Sequence, residues 1–502
     1  MATQRRQIQR KQIQRKRIKW IGIDFGTTNS AAISFIDEGQ SIGRYEHGDD
    51  QGTPFPSIVG INRETGEVIT GRDAKNRRIE LSEKYVFFTS LKSIIDKDEY
   101  YDVAGRKWTP VALATEILKG LKTEIWRKNV QADSVVMAVP VGFSPKKKMK
   151  LREAAQNAGI AIETFISEPT AALVSNYAKM KMFKNVAVFD WGGGTLDVAV
   201  LHIESGRIEE IATDGMSLAG DNIDKKIAEQ MHIKYCRAKG VAKSFEEVDA
   251  KSRDRLLVKS EAAKIDLSEG ADVTSVLVPN YDNRGVFRQA LEYDLFAELV
   301  QPEVNEAINC LNRAIAKAHL NAANIDAILC VGGSSRLKPF REKVISLFGS
   351  EKVIYPEKVM WNIAEGAALI GMTNAAGGYG MNQDIGLILS DGSFYPLLRK
   401  GQRIPCREKK INFAAVTDER AVRFLVTDAE DPAKRTFEEP IVIDREGQGF
   451  MSEQFEVSCF VDPDLLFRFR VRSTEFMRKY LYMWTYNKLN IYYQVEGGMN
   501  ER

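Results

Sequence analysis

The sequence has little of what a secreted, membrane-spanning or metal-stapled protein needs. Its 502 residues hold five cysteines, Cys236, Cys310, Cys330, Cys406 and Cys459, scattered and without a C-x-x-C pair. That argues against a disulfide framework and a structural zinc site, and for a reducing compartment. Of four histidines, none lies beside another candidate metal ligand. No apolar run reaches the length that crosses a bilayer. The basic N-terminus lacks the apolar segment of a secretion signal, so a cytoplasmic location is expected. No G-x-x-x-x-G-K-[ST] loop occurs, which excludes a P-loop protein. Charge of either sign is nearly balanced at +3, and the first nineteen residues carry eight Lys and Arg with no acid. The remainder is therefore mildly acidic and not a nucleic-acid binder by charge.

What is present is enough apolar residue, 44%, and enough chain for two to four domains with real cores. Residues 1–19 contain a tandem QIQRK repeat whose isoleucines, Ile8, Ile13 and Ile18, fall five apart. At 100° per residue they leave any single helix face. This is a disordered basic tail or a polybasic arm touching nucleic acid or anionic lipid.

The chain is organised around VFDWGGGTLDV, residues 188–198. An apolar run ends at Asp190, three glycines follow (Gly192, Gly193, Gly194), then Thr195 and Asp197, and a second apolar run begins. The stretch predicts strand, tight turn, strand. Without Cβ atoms the turn lets backbone N–H groups close on an anion, and its aspartates suit a metal ion's waters or an attacking water. Alone, it also fits an ordinary Gly-rich hairpin. WIGIDFGTTNS at 20–30 repeats the pattern with Asp24, Gly26, Thr27 and Thr28, which predicts two similar halves gripping one phosphate chain. A third turn, AILCVGGSSR at 327–336, places Gly332, Gly333, Ser334 and Arg336 where a ribose or base approaches closely.

With ISEPTAALVSNY (166–177) and AEGAALIG (364–371), these stretches resemble the heat-shock protein 70 chaperone family, within the actin and sugar-kinase superfamily of ATPases. The resemblance runs from about Trp20 to Gly371. It implies a two-lobed α/β actin-like ATPase domain with ribonuclease H-like halves, binding ATP/ADP and Mg2+. Residue by residue, it implies phosphate contacts from Gly26, Thr27, Thr28 and Gly192–Thr195, and magnesium oriented by Asp24 and Asp190. Lys92 in LKSII, a solvated lysine on sequence alone, falls where the family places a lysine near the γ-phosphate. Glu168 falls at the glutamate near the attacking water, with Asp197 beside it. Glu261, Lys264 and Ser268, spaced three, four and seven along a predicted helix, match the adenosine-binding helix. On spacing alone they fit a Glu–Lys surface pair. Gly220 keeps one of the family's two glycines in its turn; the other is Ala219.

The departures are specific. The family relays nucleotide state through a proline and an arginine eight residues on; here Pro140 is followed by Lys148, which lacks the bidentate fork. PDEAVA before the last helix is replaced by EKVMWNIAEGAA, so an acid near the adenine is missing and Trp361 is new. Residues 372–384 read as a Gly-rich linker without the family's acidic-apolar run.

Beyond it, 385–473 shows short strands of period two, AVRFLVT (421–427), FEVSCFV (455–461) and LFRFRVR (466–472), predicting an antiparallel β-sandwich. It is similar in position to the family's peptide-binding domain. In 474–502, Phe476, Tyr480 and Trp484 are four apart, predicting a short C-terminal helix in place of the family's long lid. The resemblance implies unfolded client segments, a J-domain co-chaperone and a nucleotide exchange factor as partners. The rival readings are a nucleotide-gated regulator or scaffold, an actin-like filament former and a small-molecule kinase of the same superfamily.

Overall fold

A computed structural model describes residues 17–38, 41–48, 52–128, 130, 134–374, 379–416, 419–444, 453–474 and 482–495. The chain divides into two compact units. The first reaches Met372, and the second takes Thr373 onward together with Glu163–Phe165 and Glu204–Glu210.

The first unit builds one topology twice. β1 (Arg17–Asp24) pairs antiparallel with β2 (Asn29–Asp37), β2 with β3 (Ile42–Glu46), and β1 runs parallel to β4 (Val135–Val139). In the second half β5 (Asn185–Trp191) pairs antiparallel with β6 (Leu196–Glu204), which is followed by β7 (Arg207–Met216), and β5 runs parallel to β8 (Ala327–Val331). The central strands are covered on both faces, which is why VVMAV and AILCV are unbroken apolar runs and buried throughout. β1 begins at Arg17, inside the stretch read as a basic tail; residues 1–16 lie outside the described residues.

Helices cover these sheets. α1 (Pro110–Arg127) starts where the Thr109 hydroxyl accepts from the Ala112 N–H at 3.2 Å, with proline in the first turn. It buries Ala114, Leu118, Leu121 and Ile125 at three- and four-residue spacing. α2 (Pro145–Asn157) packs on it, capped by Ser144. α3 (Glu168–Ser175) follows the strand Ile162–Ser167 directly, with the Ser167 hydroxyl accepting from Thr170 N at its start. α4 (Gly220–Lys239) and α5 (Ala250–Glu269) pack against one another in the second half. No helix among the described residues is long and apolar enough to cross a membrane.

The second unit holds two four-stranded antiparallel sheets. One has the order 394–398, 385–388, 421–427, 438–444, and the other 409–414, 454–461, 467–473, 482–486. They meet through Phe424, whose ring lies 6.1, 6.2 and 6.4 Å from those of Phe413, Phe455 and Phe469. Two sequence expectations change here. Trp484 sits in the strand Tyr482–Tyr486, not in a C-terminal helix; Phe476 and Tyr480 lie outside the described residues. Aromatic residues four apart also alternate in a strand, and YMWTY is rich in strand formers. The stretch read as a linker contains the buried strand Tyr379–Met381. It pairs with Ile491–Gln494, which in turn pairs with Arg207–Glu209.

Phe424 is 6% exposed and touches three rings of the facing sheet. Phe424→Ala is expected to destabilise this unit by about 3–5 kcal/mol, measurable as a shift of its denaturant midpoint at unchanged slope. A midpoint within error of the wild type would remove Phe424 as the keystone.

Candidate functional site

The two Gly-rich hairpins of the first unit meet. A Cβ on Gly193 would collide with the Thr28 hydroxyl, and one on Gly194 would lie 2.5 Å from the Thr27 hydroxyl. Two turns from opposite halves approach this closely only because one side lacks side chains. Between them opens a cavity of about 770 Å³, within the range of small-molecule sites. All the site positions singled out from sequence line it except Asp197 and Gly220. Asp197 lies directly across the hairpin from Asp190. Gly220 packs behind, and its N–H donates to Gly192 O at 3.1 Å.

At the meeting point stands a cluster of charge. The short helix Leu91–Ile94 turns Lys92 inward. Lys92 and Glu168 are each 5% exposed and form an ion pair. The lysine is therefore buried, not solvated. Glu168 opens α3, where the helix dipole favours its charge. Asp24 and Asp190 end equivalent strands at the cavity floor. Asp197 is buried; its Oδ1 accepts from Val141 N at 2.9 Å, and its Oδ2 has no hydrogen-bond partner among the described residues.

Four carboxylates surround one lysine, and burial disfavours the charge on three of them, Asp24, Asp190 and Asp197. Burial pushes Asp24 up to about 7 against the pull of Lys92, with Glu168 adding to the rise. Burial and then Glu168 push Asp197 up to about 7. Burial, Glu168 and Asp197 hold Asp190 well above its ordinary value. Burial disfavours the Lys92 charge, but Glu168 and Asp24 outweigh it and its pKa rises. Excess buried negative charge, presented entirely by oxygen donors, fits a hard cation such as Mg2+ held through one or two carboxylates and water. Asp24 and Asp190 line the cavity and would be the residues to hold it. No group of three or more His, Cys, Asp or Glu among the described residues makes a full metal cage.

Farther along the cavity, Lys264 on α5 does not pair with Glu261. Its Nζ lies 2.9 Å from Asp224 of α4, whose carboxyl burial raises to about 6 against the pull of Lys264. The Ser268 hydroxyl donates to Lys264 O at 2.8 Å, and the Ser334 hydroxyl to Gly192 O at 2.7 Å. Gly332, at φ +79°, passes so close to Asp190 that a Cβ would stand 2.6 Å from its Oδ1. Gly333 and Arg336 face the cavity beside it. Sequence reasoning missed Asp224 and Ser90. Asp224 sits one turn along α4 on the face of Gly220, a signal available in the spacing. Ser90, whose hydroxyl donates to Asp221 Oδ2 at 2.9 Å, carries no such signal. At the relay position, the peptide after Pro140 bonds Asp197, while Lys148 stands where the family has arginine.

Two halves of one topology, joined at a glycine-lined cleft with aspartates at equivalent strand ends, define the two-lobed actin-like class of ATPase folds. A model of the family described as Hsp70 protein matches residues 89–430, about two thirds of the chain. The chain belongs to the Hsp70 family. The matched span starts after the first hairpin, whose place rests on the duplicated topology and its contact with the second.

Asp190 has a raised folded-state pKa, so its stabilising contribution is full below about pH 4 and is lost as pH rises through the folded value. Asp190→Asn is therefore expected to raise the melting temperature of the ligand-free protein by a few degrees at pH 8. The gain should shrink steadily toward pH 4, as read by thermal melts across that range. An equal shift at every pH would show that repulsion is not the cause.

Proposed function

We propose that the protein is an ATP-dependent chaperone of the Hsp70 type, which binds and slowly hydrolyses ATP and takes unfolded peptide segments. The buried Lys92–Glu168 pair, set among Asp24, Asp190 and Asp197 where the glycine turns meet, carries this reading. A lysine fixed there offsets charge on a transferring phosphoryl group. The backbone of Gly192–Thr195 and the hydroxyls of Thr27 and Thr28 face the same space and suit phosphate oxygens. Glu168 accepts hydrogen bonds beside Lys92 and is placed to orient an attacking water, with Asp197 behind it. Asp24 and Asp190 would hold a magnesium ion, which would supply charge neutralisation to the phosphates. Peptide binding is assigned to the two-sheet unit through family membership, and the matched span runs into its first sheet. Client segments, a J-domain partner and an exchange factor follow from the same membership.

Glu168→Gln is expected to keep ATP affinity within a fewfold and to slow hydrolysis by about 100-fold or more, measured by calorimetry and single-turnover assays. Unfolded polypeptide added to the wild type should speed turnover. Wild-type hydrolysis in the variant would remove Glu168 from the chemistry. Turnover indifferent to peptide would favour a nucleotide-gated scaffold.

A further inference from the structure

The strand Ile491–Gln494 belongs to neither four-stranded sheet of the second unit and fills a slot between two short strand edges. Tyr493 stands directly opposite Ile208 on one side and Tyr379 on the other. The three are 4%, 0% and 1% exposed, and the two tyrosine rings lie 5.7 Å apart. Ile491 and Val495 are buried as well, so the segment is apolar at every second residue. Its other face is polar. The Arg207 guanidinium lies 3.8 Å from the centre of the Tyr492 ring, and a Cβ on Gly380 would stand 2.9 Å from the Tyr492 hydroxyl. The Asn382 side chain accepts from Arg207 at 2.8 Å and donates to Glu209 at 2.8 Å, linking the two edges across the strand. Main-chain bonds close both ends: Asn382 N–H donates to Asn490 O at 2.9 Å, and Val495 N–H to Gly206 O at 2.8 Å. These ladders are short, and neither is shared with the two sheets. The strand follows residues 487–490, which form no helix or strand and begin with the exposed Asn487 and Lys488. Tyr379–Met381 keeps a separate hold, because Met381 makes main-chain bonds of 2.9 and 2.7 Å to Gln402 and Gly401. Departure of Ile491–Gln494 therefore breaks its own ladders and leaves both edges in place.

We propose that residues 491–495 form a reversible strap. The strap leaves as one unit while the two four-stranded sheets stay closed, and the slot it vacates accepts an extended segment with an apolar residue at every second position. An element held by short ladders of its own opens at lower free energy than the sheets beside it. Two open main-chain edges flanking an apolar row are what strand addition requires: the edges supply hydrogen bonds, and the row around Ile208 and Tyr379 selects alternate apolar side chains.

The test is native-state hydrogen exchange on the full chain, read at single amides. Those of Asn382 and Val495 report the two sides of the strap, and those of Val457 and Cys459 report a central strand of the sandwich. Asn382 and Val495 are expected to share one protection factor, about 100-fold or more below that of the sandwich pair. Tyr493→Ala should lower both by about tenfold or more and leave Val457 and Cys459 unchanged. A labelled peptide of residues 489–495, LNIYYQV, should bind Tyr493→Ala about tenfold more tightly than the wild type, because the resident strand competes less well. Protection of Asn382 and Val495 equal to that of Val457 overturns the proposal, as does a loss confined to Val495 in the variant. A peptide that binds neither protein, or binds both equally as it would at a client site elsewhere, overturns it too. Should the variant fail to fold, the wild-type exchange pattern alone decides between release of the strap and global opening.

Discussion

The structure depends on an imbalance of buried charge. Among the described residues, Lys92 is the cation that faces Asp24, Glu168, Asp190 and Asp197, and burial together with mutual repulsion lifts three of the carboxyls above their ordinary values. Such a cluster is a poor way to stabilise a fold. It persists because five separate elements deliver it: the ends of two equivalent strands, the start of β6, the first turn of α3, and a short helix after Ser90.

Close approach is the second requirement. Threonine side chains of one hairpin occupy the space that glycines of the other leave open, so the two hairpins interlock at Thr27 and Thr28. Behind this contact, Gly220 and Asp221 donate their N–H groups to Gly192 and Gly193, tying the start of α4 to the same turn. Ser334 holds Gly192 from the other direction. The turn is thus braced by three elements before any ligand enters.

The hairpins, the parallel strands and the helices were legible because their physics is local. Apolar runs ending at Asp and Gly, and Thr109–Pro110 before an amphipathic stretch, state their own conformation. Lys92 was legible only through family likeness, since nothing in LKSII shows a buried cation. The Lys264–Asp224 pair was not legible, because spacing along one helix says nothing of Asp224 on the next. Strands of the second unit showed in their alternation, yet Tyr379–Met381 did not. Glycines just before and within a three-residue strand look like linker until a distant strand covers them. The same non-locality hid the strand nature of the aromatic segment around Trp484.

That distant strand has a consequence for synthesis. Ile491–Gln494 lies between Tyr379–Met381 and Arg207–Glu209, so the middle member of the trio is translated after both of its neighbours. Until the ribosome has delivered it, each neighbour presents main-chain donors and acceptors without this partner, and closure joins residues almost three hundred positions apart. The emerging chain therefore passes through a long interval in which it offers open strand edges, the feature for which nascent proteins commonly need a chaperone of their own.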